Sequence, residues 1–140
     1  MHLPVTKLDP AATLPTYAHE GDAGADLFAL EEVVIAPGER VSVRTGVALA
    51  IPPGFVGLIW DKSGLSHKHG LKTFGGVIDS SYRGEVLVGV MNLGSESYTL
   101  AAGHKVAQLL VQEVTSATVI EVDKLDDTTR GEGGFGSTGK

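Results

Sequence analysis

Short apolar runs, broken by glycine or proline about every ten residues, dominate this sequence and constrain its fold more than any other feature. The runs are rich in Val, Ile and Leu, and the period of an amphipathic helix is nearly absent. Such runs between turn residues are typical of β-strands. The sequence therefore predicts an all-β domain, and the number of strands favours a jelly roll or a barrel.

The runs predict individual strands, and the Gly and Pro positions predict the turns between them. One short helix is expected from Ser63 to Lys68, with a serine cap at its start and Gly70 ending it. Turns are expected at residues 37–38, 52–54, 92–94 and 102–103. The predicted strands are Leu3–Leu8, Ala25–Leu30, Val33–Ala36, Val41–Ile51, Phe55–Trp60, Val86–Leu93, Val106–Val114 and Val119–Val122.

Length and charge limit the classes of protein that this chain can belong to. Its 140 residues suit one domain, which we divide into a core, 1–127, and a C-terminal tail, 128–140. The sequence has no cysteine and no apolar run as long as the roughly 18 residues of a membrane span, so we expect a cytoplasmic protein without membrane contact. A net charge of −6 argues against a general nucleic-acid surface, and any phosphate site must be locally cationic or use a metal such as Mg²⁺.

The C-terminal segment Arg130–Lys140 cannot build a core, because five of its residues are glycine. Such a segment either stays disordered, which composition alone favours, or orders around a ligand. Arg130 can bind phosphate oxygens through two N–H groups, and Ser137, Thr138 and backbone N–H groups can bind more of them. Phe135 offers a ring face for stacking. These side chains indicate a nucleotide clamp.

Three internal segments carry groups suited to the rest of a nucleotide site. Asp26 follows Gly24 near a strand start, where it could hold the water shell of a metal ion, although a turn-forming Asp is the commoner explanation. Lys62, Ser63 and Gly64 at a helix start would suit an anion, although an ordinary helix cap explains the serine equally well.

The third segment, Gly76–Glu85, predicts a β-hairpin with a catalytic carboxylate. Asp79 directly follows the apolar pair Val77-Ile78, and partial burial there would raise its basicity enough to deprotonate a water molecule. The hairpin backbone could bind a base edge, and Tyr82 could lie against a sugar. A hairpin Asp beside a packing Tyr is an equally good interpretation of this segment taken alone.

Together these segments resemble the conserved motifs of the trimeric dUTP diphosphatases, the dUTPases, in order and over nearly the whole chain. The motifs correspond to residues 23–29, 62–65, 76–85, 103–109 and 130–139, and the third and fifth match at essentially every position. The resemblance implies a distorted jelly roll, a homotrimer, and active sites at subunit boundaries, each closed by the tail of a neighbouring subunit. It also implies hydrolysis of dUTP to dUMP and pyrophosphate, which limits uracil in DNA and supplies dUMP for dTMP synthesis.

The resemblance also implies a role for each matching residue. Asp79 would be the general base for attack on the α-phosphorus, with Mg²⁺ on the triphosphate and Asp26 reaching that ion through water. Tyr82 would lie under the deoxyribose. The remaining substrate-binding residues would be Gly76, Val77 and Ile78 for uracil; Lys62, Ser63, Gly64 and Gln108 for the phosphates; and Arg130, Phe135, Gly136, Ser137 and Thr138 in the tail.

Two departures and two alternatives accompany this resemblance. Lys62 stands where the second motif usually has Arg, and Lys105 stands where the fourth often has one, so the single charge of an ammonium group replaces the bidentate guanidinium group at both positions.

A dCTP deaminase-type relative is one alternative, but its additional acid/base group is not evident in the Val77–Tyr82 hairpin. A non-catalytic nucleotide-sensing trimer is the other.

Overall fold

The computed structural model describes residues 1–134, and within them the chain is almost entirely β-structure. No helix in this range is long and apolar enough to cross a membrane. The elements, in chain order, are β1 Val5–Lys7, β2 Ala25–Phe28, β3 Val33–Ile35, β4 Arg40–Leu49, β5 Phe55–Asp61, α1 Ser63–His69, β6 Leu71–Phe74, β7 Val77–Ile78, β8 Glu85–Asn92, β9 Tyr98–Leu100 and β10 Lys105–Glu113. The all-β prediction is confirmed.

The described strands form two four-stranded antiparallel sheets and a separate two-stranded ribbon. The first sheet has the order β1-β4-β8-β6, the second has the order β2-β10-β5-β7, and β3 pairs with β9. Buried side chains from both larger sheets, such as Val43 and Val88 from the first and Leu27 and Leu109 from the second, belong to one hydrophobic cluster. The two sheets therefore enclose a single core, as expected for a jelly roll.

Alternation along β8 shows how the sequence selects the buried face. Val86, Val88 and Val90 are buried, whereas Leu87 between them is largely exposed. Successive side chains of a strand point to opposite faces, so every second residue enters the core. Burying each of these valines contributes about 1.5–3 kcal/mol relative to leaving it exposed.

Most predicted strands are found with ends shifted by one to a few residues, but the strand predicted at Val119–Val122 is wrong. This segment has no regular structure, and Val119 is 93% exposed. A strand needs a hydrogen-bonded neighbour, and the described part of the chain offers this segment none. Three short strands, β6, β7 and β9, were not among the predicted strands, although β7 lies in the predicted hairpin, because two to four residues are too few for a clear alternation.

Helix α1 starts at Ser63 as predicted and ends at the predicted Gly70 cap, one residue later than expected, but its N-terminal cap differs from the prediction. Gly70 has φ of 70°, and its backbone N–H bonds the carbonyls of Leu65 and Ser66, as in a glycine C-cap. The residue before the helix is Lys62, and no side chain caps the first turn, so the predicted serine cap is wrong. Ser63 instead lies inside the helix and is exposed. Its hydroxyl can therefore meet a ligand.

The second sheet places four of the internal sequence motifs side by side. Asp26 lies on β2, opposite Gln108 on the neighbouring strand β10. On the other side of β10, β5 ends at Asp61, directly before Lys62, and β7 completes the edge of the sheet. The order β2-β10-β5-β7 thus positions the candidate site.

Candidate active site

A buried carboxylate between two lysines lies at the centre of the site. Asp26 is only 2% exposed. Its Oδ1 accepts a hydrogen bond of 2.5 Å from Lys62 Nζ, and Lys105 Nζ lies 2.7 Å from Oδ2. Lys105 forms an ion pair with Oδ2, but this contact is less well directed than the Lys62 hydrogen bond, so Oδ2 keeps acceptor capacity for a further donor. The cluster therefore carries one negative and two positive charges.

The two lysines also determine the protonation of Asp26. Burial alone would raise the pKa of this carboxyl group, because it disfavours the charged form. The contacts with Lys105 and Lys62 outweigh burial and hold the pKa of Asp26 below its ordinary value. Asp26 is therefore an anion at neutral pH, and removing either lysine leaves it less well compensated.

Gln108 is held beside this cluster by a hydrogen bond to the end of β5 and by the space that Gly24 leaves just before β2. Its Nε2 donates a hydrogen bond of 2.8 Å to the main-chain carbonyl of Asp61. A Cβ atom at Gly24 would lie only 2.6 Å from Gln108 Oε1, so the glycine leaves the space that the amide occupies. With its NH₂ group bound to Asp61, Gln108 presents a fixed amide toward Gly24 and the Asp26 strand.

The Asp61 side chain fastens the end of β5 to β6. Its Oδ1 accepts hydrogen bonds from the Thr73 backbone N–H at 2.7 Å and from the Thr73 hydroxyl at 2.5 Å. Lys72 Nζ contacts Oδ2 at 2.8 Å. Burial alone would raise the pKa of Asp61, but these bonds from Lys72 and Thr73 keep the pKa below its ordinary value. This network stabilises the segment that leads into Lys62.

The hairpin that carries Asp79 is attached to β5 at its base and turns sharply at its tip. Strand β7 pairs with β5, and the Ile59 N–H donates a 2.8 Å hydrogen bond to the Gly76 carbonyl. At the tip, the Tyr82 N–H donates to the Asp79 carbonyl at 3.0 Å. The Asp79 side chain is exposed. The predicted partial burial of Asp79 is therefore wrong within the single chain, because β7 is a two-residue edge strand and Val77 beside it is itself 65% exposed.

Tyr82 has one face against the protein and remains 42% exposed. Its hydroxyl donates a 3.0 Å hydrogen bond to the Glu85 carbonyl, and its ring lies so close to Gly84 that a Cβ there would collide with it. Arg83 Nη1 donates to the carbonyls of Ser80 and Tyr82, at 2.7 Å each. The turn is thus fixed from both sides, and the outer face of the Tyr82 ring is available for a flat ligand.

Some of the predicted phosphate residues line one cavity, and some of the predicted base-binding residues line another. A cavity of about 540 Å³ is lined by Lys62 and Gly64 together with Lys105. A second, of about 280 Å³, is lined by Gly76 and Val77 together with residues of β5 and β6. No residue lines both cavities. Within residues 1–134, the structure brings Asp26, Lys62 and Gln108 together and leaves the hairpin in a different cleft.

The tail residues are described only at their beginning. Arg130 is exposed, and its Nε donates a 2.7 Å hydrogen bond to the Gly133 carbonyl within a tight turn. The predicted tail residues Phe135, Gly136, Ser137 and Thr138 lie outside the described residues. Their roles, and the division of the chain at residue 127, stay predictions.

Asp26 is better suited to a magnesium ion that arrives bound to a ligand than to a magnesium ion held permanently by the protein. Residues 1–134 contain no group of three His, Cys, Asp or Glu side chains able to hold a metal ion. Mg²⁺ favours about six oxygen ligands and keeps several waters, so a lone carboxylate binds it only when phosphate oxygens supply other ligands. Oδ2 of Asp26, which keeps acceptor capacity beside Lys105, can accept a bond from such a water.

Three residues of this site were not among the sequence-predicted site residues. Lys105 was noted only as a departure from the family pattern, and its contact with Asp26 depends on the pairing of β2 with β10. Asp61 and Gly24 are far from Gln108 in the sequence and meet it only in the folded sheet. Their positions in the sequence therefore do not indicate that they orient Gln108. A buried aspartate must have cationic partners, and that rule alone could have drawn attention to Lys105.

The fold and the site define an all-β protein with a cationic cluster around a buried carboxylate and a second carboxylate on a rigid hairpin. A family model described as dUTPase matches residues 11–139. The chain belongs to the dUTPase family. It is 49% identical over 138 residues to a deoxyuridine 5'-triphosphate nucleotidohydrolase of Thermobifida fusca, covering 96% of this chain and 77% of that one. The enzyme of the same name from Clostridium kluyveri is 46% identical, with 99% of both chains covered.

Solved structures of phage dUTPases share the fold. A mutant dUTPase of Staphylococcus bacteriophage 80alpha with dUpNHpp has a TM-score of 0.94 and 30% identity, and the match covers 99% of each chain. A mutant dUTPase of the S. aureus phage phi11, described as revealing the coordination of a structural Mg(II) ion, has a TM-score of 0.83 and 29% identity. That match covers 89% of this chain and 98% of the phage chain. The predicted fold and family are confirmed.

Proposed function

We propose that this protein is a dUTP diphosphatase that hydrolyses dUTP to dUMP and pyrophosphate in the cytoplasm. Family membership and the names of the relatives support the reaction. The observation that carries the proposal is the exposed Asp79 carboxylate on a rigid turn, in a chain whose cationic cluster suits phosphates.

Asp79 is the general base in this proposal. Its carboxylate takes a proton from a water molecule, the water oxygen attacks the α-phosphorus, and the bond from that phosphorus to the bridging oxygen breaks. Pyrophosphate leaves with the bridging oxygen. The Tyr82–Asp79 backbone bond fixes the carboxylate on the turn, and a well-placed base contributes about 10²–10⁴-fold to the rate.

The hairpin and the loop before α1 bind opposite ends of the nucleotide. The backbone of Gly76, Val77 and Ile78 reads the uracil edge, and the exposed face of Tyr82 packs against the deoxyribose, where a 2′-hydroxyl has no room. Ser63 and Gly64 contact the phosphates, Lys62 adds positive charge beside them, and Gln108 bonds a phosphate oxygen or an ordered water.

A magnesium ion on the triphosphate neutralises phosphate charge and orients the chain of phosphates when it is bound. Asp26 would hold it through water, at the Oδ2 atom that keeps acceptor capacity. Arg130, Ser137 and Thr138 bind the terminal phosphates. The segment with Phe135 and Gly136 covers the base. Ordering these residues costs about 1–2 kcal/mol each in backbone entropy, so closure requires the complete triphosphate.

The active assembly is a homotrimer in which the tail closes a site on a neighbouring subunit. Two observations support this part of the proposal. The phosphate residues and the uracil hairpin of one chain line different cavities, so a second copy is needed to complete a site. Residues 114–132 are exposed throughout, and Val119, Ile120 and Leu125 among them present apolar surface that a partner would cover.

Pyrophosphate release from dUTP, dCTP, dTTP and UTP tests the proposed reaction. Release from dUTP alone, reduced about 100-fold or more in Asp79→Asn, is the expected result. Asp123→Asn, which changes an exposed aspartate outside the site, should keep the wild-type rate. Ammonia from dCTP would indicate a deaminase instead, and nucleotide binding without any turnover would indicate a sensor.

Subunit mixing tests the exchanged tail. A chain lacking Arg130–Lys140 and a chain carrying Asp79→Asn are each expected to be inactive. Refolded together, they should regain activity, because hybrid trimers contain sites with an intact base on one subunit and an intact tail from another. Recovery should be absent if each tail closes the site of its own subunit.

A further inference from the structure

We propose that Glu85 is a positioning residue: its side chain holds the returning arm of the Asp79 hairpin on β4 and thereby keeps the Asp79 carboxylate in place for catalysis. The inference rests on the proposed function and deepens it, since it adds a residue to the machinery of the same site. Glu85 ends the third sequence motif but was not among the predicted site residues.

The hairpin has two arms, and each arm is attached to a different sheet. The outgoing arm pairs with β5 through the two-residue strand β7 and is also bonded to β5 at Gly76. The returning arm leads into β8, whose first residue, Glu85, lies opposite Ala48 of β4. The exposed side chain of Asp79 lies between the two arms, so its position depends on the backbone of both.

Strand β4 is irregular where it faces the start of β8. Its pairing with β8 runs without interruption from Arg40 to Arg44, and the next paired residue is Ala48. Residues 45–47 therefore face the single residue Val86, as in a β-bulge. Gly46 lies in the middle of this bulge with φ of 68°, a conformation that favours glycine. We call residues 45–47 the β4 bulge.

Two side chains supply hydrogen bonds across the β4 bulge. Oε1 of Glu85 accepts a hydrogen bond of 2.8 Å from the Gly46 backbone N–H, and the Glu85 side chain is only 20% exposed. The Thr45 hydroxyl donates a hydrogen bond of 2.6 Å to the Val86 carbonyl. Arg44 Nε lies 3.2 Å from both carboxylate oxygens of Glu85. Glu85 thus links the bulge to the end of the catalytic hairpin.

The backbone of Glu85 extends this attachment to the hairpin tip. Its carbonyl accepts the 3.0 Å hydrogen bond from the Tyr82 hydroxyl, and the Tyr82 N–H donates to the Asp79 carbonyl. Three hydrogen bonds therefore connect Gly46 to Asp79 by way of Glu85 and Tyr82. Displacing a catalytic group by about 1 Å can cost roughly 100-fold in rate, so loosening this connection should lower kcat.

Steady-state hydrolysis of dUTP by Glu85 variants tests the inference. Glu85→Ala should lower kcat about tenfold and change KM less, because the outgoing arm that reads uracil stays attached to β5. Glu85→Gln keeps an oxygen for the Gly46 N–H and loses only the exposed ion pair, so its kcat should stay within about threefold of wild type. Glu85→Asp has a side chain too short to reach Gly46 and should lower kcat as Glu85→Ala does, which keeps the test available if Glu85→Ala does not fold.

Thr45→Val is the matched control. It removes a hydrogen bond of the same bulge, but that bond ends at Val86 and does not lead to the hairpin tip. Thr45→Val should therefore lower the melting temperature and keep the wild-type kcat. A wild-type kcat in Glu85→Ala, or an equal loss of kcat in Thr45→Val, would overturn the inference.

Hydrogen–deuterium exchange of the hairpin amides tests the attachment without any turnover. The Tyr82 amide should exchange severalfold faster in Glu85→Ala and at about the wild-type rate in Glu85→Gln and Thr45→Val, because its bond to Asp79 depends on the anchored arm. Unchanged exchange in Glu85→Ala would overturn the inference even if dUTP is hydrolysed. If the wild-type protein does not hydrolyse dUTP, the proposed function fails, and the exchange rates still decide whether Glu85 holds the hairpin.

Discussion

Gly76 offers a direct test of how the uracil hairpin is attached, because its neighbour Gly75 supplies a matched control. Both glycines have positive φ, 69° at Gly75 and 91° at Gly76. A side chain in such a conformation costs about 1–2 kcal/mol at either position. At Gly76 the added Cβ would also lie 2.9 Å from the Ile59 carbonyl oxygen, whereas nothing lies within 4 Å of a Cβ at Gly75.

The clash at Gly76 has a further cost that can be worked out from the structure. Relieving it moves the hairpin away from β5 and weakens the 2.8 Å bond from the Ile59 N–H to the Gly76 carbonyl, worth about 0.5–1.5 kcal/mol net. Gly76→Ala should therefore lower the free energy of unfolding by about 1.5–3.5 kcal/mol, against about 1–2 kcal/mol for Gly75→Ala.

Urea unfolding of both variants at one protein concentration measures this difference, and the KM for dUTP measures its effect on the site. We expect Gly76→Ala to raise KM more than Gly75→Ala does, since only the former displaces the backbone that reads uracil. Equal destabilisation by the two substitutions, with equal KM values, would refute the proposed attachment of the hairpin.

Three further predictions concern other parts of the molecule. Asp61→Asn should be less stable than wild type by about 1–2 kcal/mol at pH 7 because the ion pair with Lys72 is lost. Since the folded-state pKa of Asp61 lies below the ordinary 3.8, this gap should persist above pH 3.8 and close as the pH falls through the folded-state pKa, which urea titrations over that pH range can follow. Gly24→Ala should reduce kcat about tenfold by displacing Gln108. The double variant Gly24→Ala, Gln108→Ala should have the same kcat as Gln108→Ala alone, and a kcat lowered by the product of the two single effects would contradict this. Removing Arg130–Lys140 should abolish turnover and leave the far-ultraviolet circular dichroism unchanged, and a normal kcat in the truncated protein would disprove the clamp.

The strands of the core were predictable from the sequence because burial alternates along them, as in β8. The exception is Val119–Val122, which has strand composition but no neighbouring strand in the described chain. Apolar composition alone thus identifies segments that need a partner, but it does not say whether that partner lies in the same chain.

Site residues could be predicted where a short sequence motif contains the chemical groups by itself. They were harder to predict where residues distant in the sequence come together only because their strands pair. The sequence indicated Asp26, Lys62 and Gln108 separately, and the order β2-β10-β5 explains why they meet. It gave the wrong burial for Asp79, because the apolar residues before it lie on an exposed edge strand. It did not indicate that Asp26 is shared by two lysines, which depends on the register between β2 and β10.

The central claim is that Asp79 directs water to the α-phosphorus of dUTP, and hydrolysis in ¹⁸O-labelled water tests it most directly. The account predicts that the label appears in dUMP and not in pyrophosphate, and that Asp79→Asn slows its incorporation about 100-fold or more. Label in pyrophosphate, or incorporation into dUMP at the wild-type rate in Asp79→Asn, would contradict the account.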